Sequence, residues 1–309
     1  MTVTLSRLER AERPHVLDLM RAVNGRAMSE HEFEWFLDRN PVHPGIVSGA
    51  KEGGRLNGVL AMVFARAVTG GGECRIAFPV QAVTHPEVRR QGIFSGLELQ
   101  NEAHAVDAGT ALAIAFPNVT RSTFVGRLGW TELHAMRLWA RPLRPLRALR
   151  RTGGGSLRAP VGDELQEFED AHERAWRAAR PRWGSCVVRD AAYLNWRYLE
   201  SPRDYRAFGD NGAYAVVRHL VHKGVSVAAI CDLVGPPAAQ RRLLRRCLRE
   251  ASGGADAAIT VPAPDQRAPY LALGFVPTPM RIRVVGKALQ PETELARDWY
   301  FSLGDTDFI

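Results

Sequence analysis

Lysine is nearly missing from this chain. Of its 41 cationic residues only Lys51, Lys223 and Lys287 are lysine, and the rest are arginine. The net charge of +8 is therefore arginine charge. An arginine-rich coding preference accounts for it as readily as an anionic partner does, unless the arginines cluster. One cluster exists in sequence, "ARPLRPLRALRR" over 140–151. Cysteine is also scarce: Cys74, Cys186, Cys231 and Cys247 are scattered, with no CxxC pair. That spacing excludes a disulfide framework and a zinc site, so no metal is expected, and it fits a reducing, cytoplasmic location. No apolar run approaches the roughly 18–20 residues that cross a bilayer, so no membrane span is expected. The opening "MTVTLSRLERAERPHVLDLM" has acids and no apolar core, so it does not read as a secretory or transit leader. What remains is an ordinary globular composition in 309 residues, which is comfortable for two domains.

The two halves echo each other. "FEWFLDRNP" (33–41) matches "LNWRYLESP" (194–202), with Trp six residues before Pro in both. "IAFPN" (114–118) matches "ITVPA" (259–263), and "RLGW" (127–130) matches "ALGF" (272–275). The distance from Pro to Gly is 12 in each half, Pro117 to Gly129 and Pro262 to Gly274. Three matches in one order, two at equal spacing, point to a duplicated unit whose period is too long for a solenoid. "RRTGGGSLRAP" between them reads as a linker. The expected organisation is a domain over 1–148, a linker over 149–160, and a second domain over 161–309 with a C-terminal tail.

Periodicity gives α/β (α+β) units in both halves. "RLERAERPHVLDLMRAVNG" reads as a helix. "RLNGVLAMVFARAVTGGGECRIAFPVQAVTHP" reads as strands joined by hairpins. "GIFSGLELQNEAHAVDAG" puts Ile93, Leu97, Leu99, His104 and Val106 near helical spacing and stops at Gly109. "TALAIAFPN" is a buried strand and "TRSTFVGRLGW" a short helix. The second half repeats hairpin, helix, strand and helix. The expected architecture is two mixed, mostly antiparallel twisted sheets flanked by helices.

"HPEVRRQGIFSGL" holds the most informative stretch. A strand ends in a proline turn, then Arg89-Arg90-Gln91-Gly92 leads into a helix. Orphan N–H groups and the helix dipole favour an anion there, and Gly92 lets a phosphate approach the backbone. The alternative is a plain strand-to-helix turn with solvated arginines.

"VTHPEVRRQGIFSGL" resembles motif A of the GNAT superfamily of acyl-CoA-dependent N-acyltransferases: Val83, Arg89 and Gly92 match it, while Phe94 stands where that motif has Gly or Ala. "FPN…GRLGW" resembles its motif B, and the whole is similar to tandem, two-domain members. The resemblance implies two GNAT-like domains and an acetyl-CoA or other acyl-CoA co-substrate. It implies pantetheine along the strand at Gln81, Ala82 and Val83, and pyrophosphate on Arg89, Arg90, Gln91, Gly92, Ile93, Phe94 and Ser95. Asn118 would hold a pantetheine amide, or else is a turn residue. A small-molecule amine would attack the thioester directly in a ternary complex. Many members carry Tyr four residues before the Gly of "LGF"; here that position is Val125, so the usual acid is missing. Candidate bases are Glu32 and Glu34, each alternatively a solvated helix residue, and Asp305 and Asp307 of the tail, alternatively a staple. The second half has Tyr270 but no R-x-x-G, and Pro236-Pro237 remove donors, so it reads as a degenerate copy. A second reading, motivated by the charge and the 141–151 arginines, is aminoacyl transfer from tRNA. A third is a non-catalytic CoA-binding or other ligand-binding protein. The acceptor and the oligomeric state stay open.

Overall fold

The computed structural model of the chain describes residues 3–306 other than 26, 145–163 and 223. The expected linker at 149–160 and Asp307 lie outside the described residues. The chain divides into two compact units, Met1–His134 with Arg283–Arg297, and Ala135–Ile282 with Asp298–Ile309. This differs from the sequential division expected from the sequence, because two long strands each change units along their length.

Unit 1 is a mixed sheet. Strands β1 (Thr4–Arg7), β2 (Ile46–Glu52), β3 (Arg55–Thr69) and β4 (Gly72–Thr84) pair antiparallel in that order. β5 (Leu112–Ala115) lies parallel to β4, and its other edge is taken antiparallel by Val285–Ala288 at the end of a strand spanning Val276–Ala288. Unit 2 repeats this plan. After a short strand β7 (Ser185–Val187), β8 (Tyr205–Asp210), β9 (Ala213–His222) and β10 (Val225–Val234) are antiparallel, β11 (Ala257–Thr260) is parallel to β10, and Trp139–Pro142 covers the far edge of β11. Those four residues end β6, Thr131–Pro142. In each unit the closing strand comes from the other half of the sequence.

The duplicated motif is also repeated as structure. α2 (Glu30–Phe33) runs into a π-helical turn over Glu34–Asp38, and the helix Ala191–Leu194 runs into one over Asn195–Leu199. Each is capped by a side chain, Ser29 taking the Glu32 N–H and Asp190 taking the Tyr193 N–H. Trp35 and Trp196 are buried, as expected of core aromatics. The predicted first helix starts later than its sequence pattern, at Arg13 (α1, Arg13–Asn24), where Pro14 suits the first turn.

α3 (Ile93–Asp107) departs from its predicted face. Leu99 and Val106 are 52% and 40% exposed, while Ile93, Leu97, Glu98, Asn101, Glu102 and Ala105 are buried. Polar residues hold core positions because partners far along the chain meet them. Glu102 accepts from the Trp130 indole at 2.8 Å and from Lys287 at 2.6 Å, and Lys287 also donates to the Leu128 carbonyl at 2.9 Å. Lys287, one of the three lysines, thus pins the borrowed strand to α3. Glu98 has no hydrogen-bond partner for either oxygen among the described residues. Burial, reinforced by the neighbouring Glu102, pushes its carboxyl up to about 8.

A carboxyl whose folded pKa lies above its unfolded value binds a proton more tightly in the fold. Its contribution is whole below about pH 4.5 and is lost as pH rises through about 8. Unfolding free energy is therefore expected to fall by on the order of 1 kcal/mol per pH unit across that window from this group. Glu98→Gln is expected to remove that slope, as read from urea midpoints between pH 5 and pH 8.

Candidate functional site

The site begins with a strand pair that stops pairing. β4 and β5 are in register only at Ile76 with Leu112 and Ala77 with Ala113. Beyond those residues β5 stays bonded to the borrowed strand through Ala115, opposite Val285, but leaves β4. The β4 edge that faces the gap is then free. Pro79, which has no N–H to give, lies just past the last pair. The rings of Phe78 and Phe116 stack across the opening with centroids 5.9 Å apart.

A β-bulge follows. Val59 pairs with Val83 and Ala61 with Val80, so Gln81 and Ala82 together oppose Leu60. Gln81 has φ 53°, a left-handed conformation few side chains adopt. The bulge leaves the Leu60 carbonyl without a ladder partner. Asn101, fully buried on α3, donates to it at 3.1 Å. Sequence reasoning missed Asn101. Its signal was an amide on the face that also carries Ile93 and Leu97.

The strand ends at Thr84, whose carbonyl accepts from the Arg89 Nε at 3.2 Å. Arg90 (φ 67°) and Gly92 (φ 81°) both take left-handed backbone and swing the chain into α3. The first helical bond runs from the Gly96 N–H to the Gly92 carbonyl at 2.9 Å. The N–H groups of Ile93, Phe94 and Ser95 precede it and have no intrahelical acceptor. A Cβ placed on Gly92 would meet nothing within 4 Å, so the approach is open. Arg89, Arg90 and Gln91 are exposed around it.

Phe94, the departure from the motif, does not cover this corner. Its ring meets Phe124 of the short helix α4 (Arg121–Arg127) edge-on at 5.4 Å and joins the apolar clusters of Trp130 and Leu97. It fixes α4 against the start of α3. Val125 of α4 is 37% exposed and supplies no hydroxyl. The Asn118 side-chain oxygen accepts from the adjacent Val119 N–H.

The proposed bases are dispersed. Glu34 pairs with Arg10 at 3.1 Å on the surface, and Glu32 sits at the capped start of α2. Asp305 belongs to the interior of unit 2: its carboxylate takes Arg189 at 2.8 Å and the Ser302 N–H at 2.7 Å, with its side chain 1% exposed. A carboxylate held this way staples the tail and cannot reach an acceptor.

Unit 2 has the same opening in a different condition. β10 and β11 pair only from Val227 with Ala257 to Ala229 with Ile259, and β10 carries an irregularity between Ile230 and Asp232. Here side chains occupy the freed edge. Thr260 donates to the Ile230 carbonyl at 3.2 Å and Gln266 to the Leu233 carbonyl at 2.7 Å. The Gln266 oxygen accepts from the Ala263 N–H at 3.4 Å. The tail turn at Leu303–Asp305 packs on β10, where Arg197 donates to the Gly304 carbonyl at 3.0 Å. Tyr270 is a fully buried, packed aromatic with its hydroxyl near Thr260, and burial raises its pKa.

A splayed parallel pair, a bulged strand and a bare helix start come together in the mixed α/β fold of unit 1. Residues 4–133 match the family model described as an acetyltransferase (GNAT) domain. No curated protein sequence matches the chain. Over 94% of its length the chain shares the fold of a GCN5-related N-acetyltransferase from Anabaena variabilis ATCC 29413, at 13% identity and TM-score 0.65, covering 73% of that chain. Over 93% it shares the fold of a GCN5-related N-acetyltransferase from Kribbella flavida, at 17% identity and TM-score 0.63, covering 72% of that chain. Over 94% it is similar to Eis1 from Mycobacterium abscessus, at 16% identity and TM-score 0.59, covering 74% of that chain. Among the described residues no helix is long and apolar enough to cross a membrane, and no His, Cys, Asp or Glu group is placed to hold a metal ion.

Two substitutions probe this geometry. Gly92→Val puts a β-branched residue at positive φ, a strain of about 1–2 kcal/mol, and narrows the anion approach. It is expected to weaken CoA binding at least about tenfold by calorimetry. Asn101→Leu strands the Leu60 carbonyl and is expected to lower unfolding free energy by about 1–3 kcal/mol in urea.

Proposed function

We propose that this protein is an N-acyltransferase that moves an acyl group, in the first instance acetyl, from acyl-CoA to an amine of a small molecule. The observation that carries this reading is the coincidence, within unit 1, of the free β4 edge, the bulge at Gln81–Ala82 and the open helix start at Gly92. The residues fit the co-substrate by chemistry. The N–H groups of Ile93, Phe94 and Ser95, with Arg89 and Arg90, suit a diphosphate. The edge at Gln81–Val83 suits the amides of pantetheine, as an added strand would.

In this reading the bulge aims a backbone N–H at the thioester carbonyl, where negative charge develops as the amine attacks. The nitrogen lone pair forms the C–N bond, the C–S bond breaks, and the thiolate leaves with a proton. Glu32 and Glu34 are the carboxylates proposed to take the ammonium proton, directly or through water. With Val125 at the usual tyrosine position, solvent is proposed to protonate the thiolate. Unit 2 is proposed as a degenerate copy that takes no acyl-CoA, since Gln266, Thr260 and the tail already satisfy its β10 edge.

Calorimetry is expected to give one CoA per chain; two equivalent sites would refute the assignment to unit 2. Arg89→Ala with Arg90→Ala is expected to weaken CoA about tenfold, or about 1.4 kcal/mol. Thiol release from acetyl-CoA should appear with at least one member of a panel of aminoglycosides, amino sugars, polyamines and amino acids. CoA binding with no release across that panel would favour a binding protein instead.

A further inference from the structure

Several exposed arginines elsewhere in the described chain have acids beside them. Arg21 meets Asp18 at 2.7 Å, Arg66 meets Glu73 at 2.7 Å and Arg177 meets Glu173 at 2.6 Å. The helix after β10 in unit 2, Pro237–Ser252, concentrates five arginines. Its charged residues are Arg241, Arg242, Arg245, Arg246 and Arg249 against one acid, Glu250, which is buried and bonded to Arg206. Arg242 reaches Asp210 at 2.7 Å, and Arg246 lies over the Phe208 ring, 4.5 Å from its centroid. Arg241, Arg245 and Arg249 are exposed and have no ion-pair partner among the described residues. Exposed arginines without an ion-pair partner also occur elsewhere among the described residues, as at Arg7, Arg39 and Arg267, but here three recur along one helix.

The three unmatched arginines recur every fourth residue, so they follow one side of the helix at intervals of about 6 Å, about 12 Å in all. The opposite side, with Leu243, Leu244, Cys247, Leu248 and Ala251, is in the core of unit 2. Arg144 adds a fourth guanidinium at the helix end, donating to the carbonyls of Ser252 and Gly253 at 2.8 and 2.9 Å. A single carboxylate or phosphate cannot meet three charges spread over that length. A nucleic-acid backbone can, because a duplex carries about one charge per 1.7 Å of its axis.

We propose that the exposed face of helix Pro237–Ser252 docks the phosphate backbone of duplex RNA. A membrane-surface helix needs its apolar side for the lipid, and this one has its apolar side in the core. A DNA-reading helix inserts in the major groove, whereas this helix is packed along its whole length and offers only guanidinium groups. A-form RNA hides its bases in a narrow major groove and is contacted through backbone and shape, which such a face can do. This surface lies within unit 2 and does not depend on the transfer reading.

The test is fluorescence anisotropy of a labelled RNA duplex of roughly 20 base pairs with the full chain. Each phosphate contact contributes about 0.9 to the log–log salt slope, so three contacts weaken binding about 40-fold between about 50 and 200 mM salt. Replacing Arg241, Arg245 and Arg249 together by Gln is expected to abolish that dependence and lower affinity at least tenfold, while the triple Lys variant keeps both. If circular dichroism shows the Gln triple melting early, Arg245→Gln alone takes its place, with an expected slope loss of about 0.9. No binding at low salt, binding unchanged in the Gln variants, or equal or tighter binding to B-form DNA or to phosphatidylserine vesicles would each overturn the proposal.

Discussion

A parallel strand pair that stops after two or three residues leaves a row of backbone donors and acceptors facing a gap, and such groups do not stay unmatched inside a protein. Much of this structure follows from how each unit answers that demand. In unit 1 the last matched pair is Ala77 with Ala113, and in unit 2 it is Ala229 with Ile259. On the far side each short strand is locked by a strand borrowed from the other half of the sequence, so it cannot swing back to close the gap. The opening is therefore a fixed feature of the sheet. What differs is who fills it.

In unit 1 the gap leads to a corner fit for an extended, anionic co-substrate. The bulge, the left-handed turn at Arg90 and Gly92 and the first turn of α3 form one continuous run of backbone. α3 serves both ends of it. Its start offers bare N–H groups, and its buried Asn101 holds the strand carbonyl that the bulge released. Glu102, Trp130 and Lys287 then fix the same helix to the borrowed strand. The position of the anion corner relative to the strand edge is thus set by buried polar contacts along a single helix. Such contacts are geometrically stricter than apolar packing.

This explains which parts were legible in the sequence. The hairpin of β3 and β4, the helix after it and the glycine at its start are announced by alternation, helical spacing and a turn, all local signals. The face of α3 was not. A hydrophobic pattern takes Leu99 and Val106 as core and Glu98, Asn101 and Glu102 as surface, and the fold does the reverse. Their burial depends on a β3 carbonyl 41 residues earlier, opposite the β4 bulge, and a lysine 185 residues later, neither visible in a local window. The exchange of closing strands is hidden for the same reason, since β6 and the strand Val276–Ala288 read as ordinary strands wherever they pair. Asp305 misled as a candidate base because an acidic aromatic tail looks available. Only the fold shows Arg189 waiting for it in a dry interior, flanked by Asp232 at 2.7 Å.

The differences between the two units have a consistent physical logic. Once Gln266 and Thr260 bond the β10 carbonyls, no extended ligand is needed there, and the helix start no longer has to receive an anion. Pro236 and Pro237 then carry no penalty, since the donors they remove have nothing to bind. Burial pushes the Asp232 carboxyl up, and Arg189, bonded to both Asp232 and Asp305, holds that charge in the interior together with the tail. Removing the tail would leave Arg189 and Arg197 without several of their acceptors in a water-poor core, a heavier loss than that of a surface segment. The tail is therefore an integral layer of unit 2. It packs on β10, whose carbonyls Gln266 and Thr260 already bond.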